Sequence, residues 1–257
     1  MKRRISVLIA VVALVGAMAT VAAADTLIGT EVADVLPGTP HPDQVYGEGG
    51  DDRVAGDGSN DYLEAGPGND HVDGGHGVDL VIGGTGGDAV DGGADGDVVY
   101  AGAGEDIVLG GPARDILFGQ AGSDRLFGGA GPDRVYASLG TDYVEAGSGN
   151  DRVTSDAGDV TISAGPGDDA ITASGGVADV HGGGGHDRIG TGDFADWVAG
   201  GSGRDSIATG AGDDVVRVRD GHRDRVDCGA GVADSVDADP LDFLAECESA
   251  VAAPPRR

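Results

Sequence analysis

An aspartate returns every ninth residue for most of this chain. Stepping by nine from Asp34 to Asp214 visits 21 positions, of which nineteen are Asp; Val160 and Ala178 are the exceptions. Two residues after each position stands Val, Leu or Ile in every unit, from Leu36 and Val45 through to Ile207 and Val216. Two residues before it, Gly fills 15 of the 21 positions. A register held unbroken from Asp34 to Asp214 marks a repeat architecture, so the unit to be folded is the nonapeptide.

The cleanest units run Gly74-Gly75-His76-Gly77-Val78-Asp79-Leu80-Val81-Ile82 and Gly83-Gly84-Thr85-Gly86-Gly87-Asp88-Ala89-Val90-Asp91. Six turn-forming residues precede three with strand character. Glycine belongs where the backbone takes positive φ or another backbone approaches closely. In a three-residue strand only the middle side chain points inward, which accounts for the aliphatic position. One nonapeptide then makes half a coil, two make a full coil, and coils stack their strands in parallel about 4.8 Å apart. This predicts an all-β protein, a parallel β-roll (β-solenoid) of about ten coils, with two parallel sheets and a row of turns down each edge.

Charge is the obstacle to such a stack. The chain carries a formal charge of −29, and losing Lys2, Arg3 and Arg4 with a leader would bring it to −32. Aspartates stacked a few ångströms apart repel unless a cation sits between them. Carboxylates and backbone carbonyls are hard oxygen ligands and suit Ca²⁺, which takes 6–8 oxygens in flexible geometry; Mg²⁺ demands tighter octahedral geometry. The unit offers no soft ligand for zinc or copper.

These units resemble the nonapeptide G-G-x-G-x-D-x-U-x of RTX (haemolysin-type) calcium-binding repeats, over about residues 29–217. The resemblance implies a β-roll with Ca²⁺ held between stacked turns by the Asp side chain and by carbonyls of the first and third turn residues. Carried over, the carboxylate ligands are Asp43, Asp52, Asp61, Asp70, Asp79, Asp88, Asp97, Asp106, Asp115, Asp124, Asp133, Asp142, Asp151, Asp169, Asp187, Asp196, Asp205 and Asp214. Gly74, Gly83, Gly92, Gly110 and Gly128 are the expected carbonyl donors and turn formers. Without calcium, an acidic chain with 4% aromatic residues is expected to be disordered.

Val160 and Ala178 lie two units apart, so they are expected to be neighbours on one edge, which should lose two or three sites over residues 155–196. The opposite edge keeps Asp151, Asp169, Asp187 and Asp205. The first two units, ending in Asp34 and Asp43, lack the fourth-position Gly and read as atypical terminal repeats. Ile82, Tyr100, Phe118 and Tyr136 recur at every second unit beside Leu80, Val98 and Ile116, which predicts an apolar ladder on the outside of one sheet.

Residues 1–24 read as a signal peptide: a basic Met1-Lys2-Arg3-Arg4, an apolar stretch from Ile5 to Met18, and a small-residue ending at Ala22-Ala23-Ala24. The mature chain is expected to start at Asp25 and to be secreted, where calcium is plentiful. RTX toxins and proteases instead carry a C-terminal secretion signal, so this leader departs from them. After Val216 the register slips, to Asp224 with Val226 and Asp234 with Val236, and residues 218–257 read as degenerate repeats with a C-terminal cap. Cys228 and Cys247 read as a disulfide in an exported protein, contributing about 3 kcal/mol in the loop-entropy account; a zinc site with His222 is the alternative. Pro240 to Glu246 suggests a short helix over the last coil.

Catalysis is not expected, because the carboxylates already have a nonapeptide explanation and the histidines show no metalloprotease spacing. Nucleic-acid binding is excluded by the charge, and no second apolar run offers a membrane span. Ice binding would call for a Thr/Asn ladder along the turns, and none is visible. The sequence therefore points to a secreted calcium-binding repeat protein, or to an interaction module using the apolar ladder for self-association or a cell-surface partner.

Overall fold

A computed structural model describes residues 25–252, with the side chains of 249–252 left aside; the leader reading lies outside the described residues. Among the described residues, twenty-six short strands alternate between two parallel sheets of thirteen strands each. Every strand pairs with the strand two places on in sequence, and through the regular repeats the offset is two nonapeptides, as in Ile82 with Tyr100 and Val108 with Leu126. Thirteen strands at about 4.8 Å make a rod ~58 Å long. That is longer than the ten coils expected from the regular repeats, because the irregular units at both ends also wind onto the roll.

The core is a double file of aliphatic side chains. Leu63, Val81, Val99, Leu117, Val135 and Val153 stack in register in one sheet, and Val54, Val72, Val90, Val108, Leu126 and Val144 in the other, none more than 2% exposed. Most strands are longer than three residues, with six in Leu80–Thr85 and Ile107–Pro112 and eight in Thr141–Ser148. The alternation of faces therefore runs further than the sequence suggested. The Asp two residues before the aliphatic side chain and the Gly or Ala two residues after it also point inward, so Asp79, Val81 and Gly83 are all buried. Turns close through positive φ at the second and fourth positions, for example at Gly102 (φ 123°) and Gly104 (φ 148°). A side chain at Gly104 would also collide with the Gly86 carbonyl of the coil before it, so glycine is required there twice over.

The register slips are absorbed in turns. Ile207 pairs with Val226 and Val216 with Val236, each beyond the regular two-unit offset by the inserted residues, and both incoming valines are fully buried. The helix expected over 240–246 is absent: Phe243–Ala245 is a strand pairing with Arg225–Asp227, and Leu244 packs against the end of the core. An apolar side chain two residues after Asp242 obeys the repeat rule and outweighs the local helical composition. The Cys228–Cys247 disulfide, with a Cα–Cα distance of 5.2 Å, ties this last coil down and takes both thiols from any zinc site.

Around Val160 and Ala178, which replace Asp, three successive strands of one sheet are eight residues long, Thr141–Ser148, Asp159–Pro166 and Ala178–Gly185, and Val160 pairs with Asp142 on one side and Ala178 on the other. Backbone pairing there occupies the place that a carboxylate holds elsewhere.

Truncating the centre of the file should cost what a well-packed core costs. Leu117→Ala is expected to destabilise the calcium-loaded roll by about 2–5 kcal/mol, measured by denaturant unfolding.

Candidate metal centres in the turns

Each repeat aspartate is buried by the same alternation that buries the aliphatic residue two places on. Asp97, Asp106, Asp115, Asp124 and Asp133 are each at most 1% exposed. Their two oxygens meet different fates. Oδ1 accepts the backbone N–H of the aspartate one coil earlier, as in Asp79 N to Asp97 Oδ1 (2.8 Å), Asp97 N to Asp115 Oδ1 (2.7 Å) and Asp115 N to Asp133 Oδ1 (2.8 Å). On one edge this ladder is unbroken, from Asp25 N on Asp43 to Asp224 N on Asp242. On the other it runs from Asp34 to Asp142, stops, and resumes with Ala178 N on Asp196 Oδ1. The interruption falls where Val160 and Ala178 placed it.

Oδ2 is the unusual atom. In eighteen aspartates it is buried with no hydrogen-bond partner: Asp52, Asp61, Asp70, Asp79, Asp88, Asp97, Asp106, Asp115, Asp124, Asp133, Asp142, Asp151, Asp169, Asp187, Asp205, Asp214, Asp224 and Asp234. One buried unsatisfied carboxylate oxygen costs several kcal/mol, and eighteen in register demand a common cation or proton. Beside nine of them, those of Asp52, Asp61, Asp79, Asp88, Asp97, Asp115, Asp124, Asp133 and Asp187, lies a backbone carbonyl from the next coil. The α-carbon of Gly110 faces both Gly128 O and Asp115 Oδ2, at 2.6 and 2.8 Å from where a Cβ would stand. Gly92 likewise faces Gly110 O and Asp97 Oδ2, at 2.9 and 3.0 Å. Gly74 faces Gly92 O and Asp79 Oδ2, Gly83 faces Ala101 O and Asp88 Oδ2, and Gly128 faces Ala146 O and Asp133 Oδ2. The first glycine of the unit thus leaves open a space where two oxygens of opposite origin converge. Carbonyls of the third turn residues, such as Ala103 and Ala121, accept one N–H each from Gly86 and Gly104 (2.8 Å), leaving a second lone pair.

Two expected ligands stand apart. Asp43 Oδ2 accepts the N–H and hydroxyl of Thr39 (2.6 and 3.0 Å), and Asp196 Oδ2 accepts Gly192 N–H (3.3 Å). Asp34 is capped in the same way by Thr30. Conversely, Asp224 and Asp234 carry the unpaired oxygen but were absent from the expected set. Their signal was the valine two residues on, visible once the insertions are allowed for.

Among the described residues no three His, Cys, Asp or Glu side chains cluster as a ligand set. Any cation held here draws one side-chain oxygen per turn and fills its shell from carbonyls, which is hard-cation chemistry of the Ca²⁺ type. Nor, among the described residues, is any helix long and apolar enough to cross a membrane.

Comparison with known proteins agrees with this geometry. The family described as RTX calcium-binding nonapeptide repeat (4 copies) matches residues 28–63, 46–81, 55–90, 82–117, 109–144, 118–153, 145–177 and 190–222, well over half of the chain. The chain belongs to this family, and its repeats are calcium-binding repeats. No curated protein matches the chain. Among solved structures, a hyperactive, Ca²⁺-dependent, β-helical antifreeze protein from an Antarctic bacterium is similar at 19% identity and a TM-score of 0.38, over 80% of this chain and 83% of that one.

Burial raises the pKa values of the ladder in the metal-free chain. Desolvation lifts Asp97 to about 8 and Asp124, Asp133 and Asp169 to about 7, partly offset in each case by the N–H from the preceding coil. A carboxylate whose pKa is higher folded than unfolded favours the folded state when protonated. That contribution is fully present below about pH 4 and is lost as pH rises to about 8. In chelator, the chain is therefore expected to gain β-structure on acidification from pH 8 to about pH 4, followed by far-UV circular dichroism; a loss of structure over that range would oppose this assignment.

Proposed function

We propose that the chain is a secreted, non-catalytic calcium-binding protein whose roll folds as Ca²⁺ fills the turns, serving a structural or cell-surface role. The observation that carries the reading is the ladder of eighteen buried, unpaired Oδ2 atoms, nine of them shown beside a carbonyl of the next coil. Calcium supplies the positive charge that these oxygens lack, and the chain's own part is to fix them at coil spacing. The ions would lie along one edge from Asp61 to Asp224 without a break, and along the other from Asp52 to Asp142 and again at Asp214 and Asp234. Gly74, Gly83, Gly92, Gly110 and Gly128 keep the space open and contribute carbonyls. Asp43 and Asp196, whose Oδ2 atoms already have protein donors, would bind weakly.

Export is supported by the leader-like residues 1–24 and by the Cys228–Cys247 disulfide, which belongs to oxidising compartments. No reaction is assigned, because the carboxylates are committed to the ladder. A second reading, an interaction module, draws on the outward stripe: Tyr100, Phe118 and Tyr136 stack with centroids 4.6 and 4.8 Å apart and rings within 8° of parallel, beyond Ile82 in the same column.

Equilibrium dialysis separates full sites from capped ones. Asp97→Asn is expected to lower the calcium bound per chain by at least one ion, while Asp196→Asn leaves it unchanged. Equal losses from both would oppose this division of the aspartates.

A further inference from the structure

The outward face of the sheet that carries the aromatic stripe differs from the rest of this acidic rod. Its outward strand positions from Leu80 to Ala208 hold no carboxylate at all. The opposite sheet interleaves Asp73, Asp91, Glu145 and Asp179 over comparable coils. On the stripe face, Leu80, Val98 and Ile116 form one column and Ile82, Tyr100, Phe118 and Tyr136 the next. The first column continues as Arg134 and Arg152, for which no ion pair forms among the described residues. One coil before Leu80 and Ile82 stand Tyr62 and Glu64, with the Tyr62 hydroxyl donating to Glu64 Oε2 at 2.6 Å.

The face is therefore acidic at one end, apolar in the middle and basic at the other, with Tyr100 at its centre. Counting coils, Glu64 lies two before Tyr100 and Arg134 two after it. We propose that this face is the interface between two copies of the chain, related by a two-fold axis parallel to the strands at the level of Val98 and Tyr100. That operation sets Leu80 against the partner copy's Ile116 position and Ile82 against its Phe118 position. It brings Arg134 over Tyr62 and within a side chain's reach of Glu64, twice by symmetry. A two-fold axis along the rod instead would leave Arg134 and Arg152 of both copies side by side with no carboxylate opposite, so charge selects the antiparallel arrangement.

From Tyr62 to Arg134 the patch spans five coils, about 24 Å by 10 Å. This is below the roughly 800 Å² per partner of a standard stable interface, so association is reversible and concentration-dependent. The inference rests on the calcium-folded roll of the proposed function, because only a wound roll places Glu64, Tyr100 and Arg134 on one face.

Sedimentation equilibrium of residues 25–257 in calcium tests it, with circular dichroism confirming the fold of each variant. The native chain should dimerise as concentration rises. Glu64→Arg and Arg134→Glu should each weaken the dimer about tenfold or more, and the two together should restore it to within about threefold of native. Phe118→Ser should weaken it independently of charge. A folded chain that stays monomeric at every concentration overturns the dimer and leaves the calcium reading intact. Dimerisation indifferent to both charge reversals overturns this face and axis. A chain that does not fold in calcium defeats the proposed function instead.

Discussion

The roll depends on how a buried aspartate divides its two oxygens. Oδ1 closes a hydrogen bond to the amide of the coil before it, so the carboxylate is part of the scaffold. Oδ2 is carried into the interior beside a carbonyl with nothing in the chain to meet it. The first oxygen sets coil spacing, and the second makes that spacing unfavourable until a cation or proton arrives. A single side chain thus makes folding conditional, and repetition multiplies the condition along both edges.

The departures from the pattern follow the same logic. Where the cation's role is not needed, the chain supplies a substitute. Thr30 and Thr39 cap the first carboxylates with hydroxyls and amides, at the end of the rod where neighbouring coils are fewest. At Val160 and Ala178 the carboxylate is gone and the strands extend to pair through the backbone, while the opposite edge keeps its ladder. The insertions after Val216 lengthen turns and leave Val226 and Val236 buried, because a turn can bulge where a stacked core cannot. The rod can therefore vary in its ligands and loops but not in the aliphatic file.

Much of this was legible in the sequence because the period is rigid. Asp79 and Val81 announce a strand face, and the two-unit step alone put Tyr100 against Phe118 and Val160 against Ala178. The division of the carboxylate was not legible: which oxygen meets an amide depends on the pitch between coils, which no single unit encodes. The inward Gly or Ala two residues after the aliphatic side chain is hidden, because only three residues of each unit have strand character while the pairing runs further. The strand at Phe243–Ala245 was hidden by a local composition that suits a helix, although Asp242 and Leu244 still obeyed the repeat. Asp224 and Asp234 escaped the ligand set because the register slips before them.

The central claim is that the unpaired oxygens make the fold conditional on calcium at neutral pH. The most direct measurement is a calcium titration of residues 25–257 followed by far-UV circular dichroism, with magnesium in parallel. A cooperative gain of β-signal with calcium and little with magnesium is the result this account predicts. A fully formed β-spectrum at neutral pH in chelator would contradict it, since eighteen buried carboxylate oxygens would then be tolerated with no cation to meet them.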